Sequence, residues 1–348
     1  VKIAVLGGTG FVGSHVVRAF VQAGHEVTCV VRPTSKREVL AGLPVAFTTG
    51  DLADVDSLRA AFAGHEAVVH AAGLLSLWKK ASNELYRVNV QGTRNVVDAC
   101  LEAGVRRLLW DGSVGIYAGS TSPTPVDERG VPTAERYHSF HVISMALGEA
   151  EALKGAARGL EVVLLHPGLC LGEGDRSFHS SWAIVGLAFA RLPVCPPGGL
   201  NLVDVLDVAR AHVLALDKAP PGSSYLLGGE NLTNRAYVDL LRDVLDIRTP
   251  VLPIPRAGMH LLGRAGELFA KALRVDKGQA ITLNEAIGEA MSLYWFVDDT
   301  KARRELGYAP STVRHALERQ IAWLRAEGQL PEAGFGARDF MDRFYTVR

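Results

Sequence analysis

The chain opens with an apolar run, Val1-Lys2-Ile3-Ala4-Val5-Leu6, which breaks into Gly7-Gly8-Thr9-Gly10-Phe11-Val12-Gly13 and re-forms as an amphipathic stretch reaching Ala23. Glycines at these positions permit positive φ, let a ligand touch the backbone and let a helix pack tightly on a strand. A helix that starts there points free N–H groups and a positive dipole end out of the turn, which suits a phosphate. Placement between a first strand and a first helix is what makes the motif specific. Gly7, Thr9, Gly10, Phe11, Val12 and Gly13 are therefore read as a pyrophosphate cradle.

The following residues carry the pattern such a cradle requires. Ile3–Leu6, Glu26–Val31, Val45–Thr48, Ala67–His70, Arg107–Trp110 and Glu161–Leu165 are short apolar, β-branched runs, as in strands buried on both faces. Helical patterns separate them at Phe11–Ala23, Ser57–Ala63, Ser82–Ala103 and Phe140–Ala157. This alternation predicts an α/β fold, a Rossmann-type doubly wound parallel sheet with right-handed crossovers.

After Pro167 the loops lengthen, prolines and glycines cluster at Pro193–Gly199, and helical patterns dominate at Val208–Leu216, Arg235–Val244, Met259–Leu273, Thr300–Leu306 and Val313–Arg325. Thr233 suits an N-cap. The expected division is a dinucleotide-binding core over 1–167, a smaller helical substrate lobe over 168–330 that is not independent and returns some elements to the core, and a tail over 331–348 carrying Phe335, Phe340, Phe344 and Tyr345. The tail is expected to dock on its own body, with a partner subunit as the alternative.

With 37 basic against 37 acidic residues, no global field recruits nucleic acid. Cys29, Cys100, Cys170 and Cys195 have no metal-ligand or disulfide spacing and read as reduced core residues. The start is too short for a signal peptide, and Trp182 to Pro197 is too broken to span a bilayer, so a soluble, cytoplasmic protein is expected. Peripheral membrane contact and a homodimer stay open.

The second strand ends Val30-Val31-Arg32, followed by Lys36 and Arg37. An acidic side chain there would accept from the ribose hydroxyls of NAD. None is present, and a guanidinium suits a 2′-phosphate, so NADPH is favoured over NADH.

Further motifs follow in order: Gly50-Asp51-Leu52, His70-Ala71-Ala72-Gly73, Asn89-Val90-Gln91-Gly92-Thr93-Arg94-Asn95, Ser113 with Tyr117, His166-Pro167-Gly168 and Gly228-Gly229-Glu230-Asn231-Leu232-Thr233. With the GxxGxxG turn, they make the chain resemble the extended short-chain dehydrogenase/reductase family, in the branch of dihydroflavonol reductases and hopanoid-associated sugar epimerase-like proteins. The resemblance runs to about Leu330. It implies that Asp51 and Leu52 lie near the adenine, that Ala71, Ala72, Met145 and Pro167 line the dinucleotide, and that Ser113 is the active-site serine.

The family's Tyr-x-x-Ser-Lys signature falls on His141-Val142-Ile143-Ser144-Met145, so its proton-relaying tyrosine and helper lysine are replaced. Imidazole titrates near ~6.5 unaided, and a lysine one turn away would only push its proton off. His141 is therefore expected to serve as the acid, Ser113 to hydrogen-bond the substrate oxygen, and Asp111 to orient His141 and raise its pKa. Tyr137 is a displaced donor candidate. His138 with His141 lacks a third ligand, so no metal is expected.

Leu74–Lys80, Tyr117–Tyr137, Leu169–Leu200 and Ile254–Met291 should rim the cleft, with Leu74, Leu75, Leu77, Trp78, Phe178, Trp182, Val185, Phe189, Met259, Leu261, Leu262 and Phe269 making it apolar. The expected activity is NAD(P)H-dependent reduction of a hydrophobic ketone, enone or quinonoid ring, with secondary metabolism as its setting. The alternatives are a non-catalytic dinucleotide sensor or structural protein, and a non-redox isomerase or epimerase.

Overall fold

The computed structural model describes residues 1–76, 81–130, 139–189, 194–248, 250–272 and 285–330. The first part comprises β1 (Lys2–Leu6), α1 (Phe11–Gln22), β2 (Glu26–Val31), β3 (Ala46–Thr49), α2 (Val55–Phe62), β4 (Ala67–His70), α3 (Ser82–Leu85), α4 (Gly92–Glu102), β5 (Arg107–Asp111), α5 (Phe140–Ala156) and β6 (Glu161–Pro167). The second comprises β7 (Leu169–Leu171), α6 (Ser181–Phe189), β8 (Val194–Cys195), β9 (Gly199–Asp204), α7 (Val205–Lys218), β10 (Ser224–Leu227), β11 (Glu230–Thr233), α8 (Asn234–Leu245), β12 (Leu252–Pro253), α9 (Arg256–Ala272), α10 (Glu285–Met291), β13 (Tyr294–Trp295), α11 (Thr300–Leu306) and α12 (Val313–Ala326).

Seven parallel strands form one sheet in the order β10-β6-β5-β4-β1-β2-β3. The strand order reverses between β1 and β4, and ligands of such sheets bind outside the carboxyl ends at that point. Helices α1 and α7 pack together on one face, where Ile3, Val5, Leu109, Leu165 and Ala211 are buried. On the other face, α2, α4 and α5 cover Ala4, Leu6, Trp110 and Leu164. The alternation along each strand thus sends neighbouring residues into different cores. A smaller sheet, β11-β9-β13 with β7 beside β9, supports the second lobe.

Strand positions agree with the sequence reading to within a residue or two. Beyond Pro167, α7 and β10 return to complete the first lobe's layers. β10 has only four residues, Ser224–Leu227, too few for a periodicity signal. The expected helix Ser82–Ala103 is interrupted by a π-helical turn at Tyr86–Gln91. Thr233 does cap α8, accepting from the Ala236 N–H at 3.1 Å.

All four cysteines are buried and free. Val185 and Met259, expected to rim a cleft, are core residues with 0% and 1% exposure. On α9, Leu261 and Leu268 stand out at 70% and 67% exposure. Among the described residues, no helix is long and apolar enough to cross a membrane. Leu77, Trp78, Tyr137, His138 and the tail aromatics lie outside the described residues, as do the side chains of Phe189 and Phe269.

Candidate functional site

The cradle is built from steric necessity. Gly7 has φ +79°, and a Cβ there would stand 2.6 Å from the Ala71 carbonyl oxygen; a Cβ on Gly13 would stand 2.1 Å from the Gly7 carbonyl oxygen. The Gly10 N–H closes the turn on Gly7 O at 2.9 Å. Gly10 then caps α1 without a side chain, and no acidic residue occupies the first turn. The N–H groups there are left to a ligand, and the dipole favours an anion. These residues fit the pyrophosphate of NAD(P).

The neighbouring strand ends extend the groove. Arg32 and Lys36 are exposed beyond β2, and the Arg37 guanidinium lies over the Phe47 ring at 5.2 Å. Beyond β3, Asp51 Oδ1 accepts from the Ala53 N–H at 2.9 Å, and Leu52 O accepts from Asn95 Nδ2 at 2.7 Å. Ala71 and Ala72 are half-buried past β4, Met145 is buried on α5, and Pro167 is buried at the end of β6.

Asn89, in the π-helical turn, ties these parts together. Its Oδ1 accepts from the Leu74 N–H at 2.7 Å, while its Nδ2 donates to Leu74 O and to Ser144 Oγ, each at 2.9 Å. Ser144 Oγ in turn donates to His141 O at 2.8 Å. The extra residue of the π turn is a device often seen at functional sites. The sequence motif contained Asn89, but its role is visible only once Leu74 and α5 converge on it.

His141 lies in the first turn of α5, after the Ser139 N-cap. Burial pulls its pKa down to about 4, opposed by a hydrogen bond to the Leu74 backbone and assisted by the nearby imidazole of His179. Among the described residues its Nδ1 is buried without a partner. The expected raising of this pKa by Asp111 is not what the structure makes. Asp111 shares a strand face with Leu109 and meets His212 of α7, Oδ1 to Nε2 at 3.8 Å, whereas α5 packs on the opposite face. Burial pushes the Asp111 carboxyl up to about 8, so it is mostly protonated at neutral pH. The expected shared strand parity does not apply, because β5 ends at Asp111 and Ser113 stands beyond it as the N-cap of a 3-10 turn. Ser113 Oγ accepts from the Gly115 N–H at 3.1 Å, fixing the hydroxyl at the end of β5.

Behind the site, Tyr117 donates to Glu149 Oε1 at 2.7 Å, and His166 Nε2 lies 3.8 Å from Glu149 Oε2. His166 is fully buried, its pKa driven down to about 3, and Glu149 is raised by burial. The pair is thereby biased toward neutrality. Gly112 makes room for it, since a Cβ there would meet His166 Nδ1 at 2.5 Å.

Comparison with known proteins agrees with this geometry. Residues 3–228 match the model of the NAD dependent epimerase/dehydratase family. The chain is 30% identical over 331 residues to "Putative dihydroflavonol 4-reductase" of Synechocystis sp., covering 93% of this chain and 94% of that protein. It is 28% identical to 2-alkyl-3-oxoalkanoate reductase of Stenotrophomonas maltophilia, over 91% of this chain and 98% of that one. The crystal structure of gox2253 superposes with a TM-score of 0.83 at 30% identity, covering 95% of this chain and 99% of that one. With the glycine cradle and the parallel sheet, these matches place the chain in the NAD dependent epimerase/dehydratase family, as an enzyme of the extended short-chain dehydrogenase/reductase type.

Proposed function

We propose that this chain reduces an apolar small molecule (a ketone, an enone or a quinonoid ring) with NADPH as the preferred cofactor. The observation that carries the reading is the cradle. Gly7 and Gly13 are sterically obligatory, and the uncapped α1 opens beside two exposed cations with no carboxylate at the end of β2. The reductase names among the relatives support the reaction class.

When bound, NAD(P)H supplies the hydride. Gly7 to Gly13 hold the pyrophosphate, and Arg32 and Lys36 take the 2′-phosphate. Ser113 presents its hydroxyl to the substrate oxygen. His141 is neutral at physiological pH because burial penalises its charged form. It therefore orients the oxygen through a hydrogen bond, and the proton that completes the reduced product comes from water. Leu75 and Phe140, 46% and 42% exposed, flank the residues that meet at His141 and suit an apolar ligand.

The test is a fluorescence titration with NADPH and NADH, followed by oxidation of the bound cofactor with a panel of enones, quinones and ketones. Substrate-dependent oxidation, with Arg32→Glu weakening NADPH more than NADH, is the expected result. Binding without oxidation across the panel would point to a sensor. Absence of binding would remove the redox reading.

A further inference from the structure

Helix α9 turns its leucines away from the protein. At about 100° per residue, Met259 and Gly263 fall on one side of the helix, and Leu261 and Leu268 fall about half a turn away. Met259 and Gly263 are buried, and α10 packs there so closely that a Cβ on Gly288 would stand 2.8 Å from the Met259 carbonyl oxygen. On the opposite arc, Leu261 and Leu268 are the most exposed large apolar side chains among the described residues, and Ala257, Leu262 and Ala265 are exposed with them. Single apolar residues scattered on a surface need no explanation, whereas a ridge of them marks a contact. The start of the helix is tied to β8 by the Ile254 N–H, which donates to Cys195 O at 3.0 Å. On that same support Val194 and Leu252, register partners across β8 and β12, are exposed as well.

The charge beside the ridge has one sign. From Ile247 to Gly266 the chain carries Arg248, Arg256 and Arg264 and neither aspartate nor glutamate, and the rest of α9 adds one residue of each sign. Arg256, His260 and Arg264 stand four apart, so they form a row along one flank of the leucine ridge. Glu289 belongs to α10, which packs on the buried arc. Across the whole chain 37 basic residues balance 37 acidic ones, so the excess is local. A second copy of this chain set on the ridge by a two-fold axis would bring the arginine rows together, with no carboxylate of this stretch to offset them. An anionic bilayer surface is the complement: acyl chains for the leucines, and phosphates above them for the guanidinium groups. Among the described residues no helix is long and apolar enough to cross a membrane, so the contact lies along the surface.

We propose that α9, with the β8–β12 pair beside it, is a membrane-surface contact, in which Leu261 and Leu268 enter the acyl boundary of an anionic bilayer and Arg256 and Arg264 meet its phosphates. The contact goes beyond the reductase reading and does not depend on it. It sets the second lobe against the phase in which apolar molecules concentrate.

The experiment sediments the full-length chain with vesicles of phosphatidylcholine alone, and with vesicles of equal parts phosphatidylcholine and phosphatidylglycerol, at low and high salt. The expected result is partition onto the phosphatidylglycerol vesicles that weakens with salt. The double variant Leu261→Ser, Leu268→Ser should partition at least about tenfold more weakly. Arg256→Gln should lose about fivefold, on the anionic vesicles only. Equal partition of wild type and the leucine variant, or no sedimentation with anionic vesicles at millimolar lipid, would overturn the contact. So would a dimer, seen by light scattering, that the leucine variant abolishes while neither form binds vesicles; the ridge would then belong to a second copy. The lipid and salt dependence of the wild-type chain decides the matter even where a variant fails to fold. None of these readings uses cofactor, so a chain that binds vesicles this way yet reduces no carbonyl loses the reductase reading and keeps the contact.

Discussion

Asp111 Oδ1 stands 3.8 Å from His212 Nε2, on the face of the sheet turned away from the helix that carries His141. His212 Nδ1 already pairs with Val208 O at 2.8 Å, so Nε2 is the ring's acceptor and a protonated Asp111 is its natural complement. The carboxyl therefore belongs to a buried neutral pair and not to the proton relay.

Asp111→Asn follows from that pairing. The folded carboxyl titrates at about 8 against an ordinary 3.8, so the folded state holds a proton that the unfolded state has lost between those values. Stability from this group is full below pH 3.8 and declines as pH rises toward 8, by about 1.4 kcal/mol per unit at most. Asp111→Asn should keep stability at pH 6 within about 1 kcal/mol and flatten the loss between pH 6 and 9, read from urea midpoints. An unchanged pH slope would contradict the assignment.

Buried neutral histidines act in the opposite direction. His70 and His212 are depressed by burial to about 4 and His166 to about 3, against 6.5 unfolded. Below 6.5 the unfolded chain binds more protons, so stability falls as pH drops through the window from 6.5 toward 4. His166→Leu should lessen the loss between pH 7 and 5 by about 1–2 kcal/mol, measured by urea denaturation at the two pH values.

Gly13→Ala places a methyl group where the Gly7 carbonyl oxygen stands, 2.1 Å away. The turn must open, at about 1–3 kcal/mol of stability, and the N–H groups of α1 lose their aim. NADPH affinity should fall at least about tenfold in a fluorescence titration. Wild-type affinity in this variant would mean that the cradle does not hold the pyrophosphate.

Asp175→Ala removes the acceptor of five hydrogen bonds and leaves the buried N–H groups of Ser180 and Ser181 without it. The expected cost is about 2–4 kcal/mol in a denaturant titration, since unpaired buried donors lose their full solvation. Asp175→Asn keeps the shape and should recover part of it. A loss below about 0.5 kcal/mol would show that the loop holds without the carboxylate.

The sequence by itself determined the layers and the cradle. Unbroken runs such as Ala67–His70 are legible as strands because both faces are buried, and Gly13 is legible because no side chain fits between a first helix and the Gly7 carbonyl. It also raised the expectation that His141 and Met145 stand at the resembled family's tyrosine and lysine positions. Tertiary structure alone decided what those residues meet. The parity of Asp111 along β5 says nothing about which helix covers its face, and α7, arriving about 100 residues later in the chain, turns Asp111 toward His212. His179 could be noticed only as one residue of a loop. The fastening of that loop depends on the Asp175 carboxylate, the His15 contact with Glu173 O and Gln320 of α12, elements far apart in the chain whose meeting no local pattern records. The aspartate followed by paired serines ahead of an apolar run was the one local signal that a helix start was being fastened there.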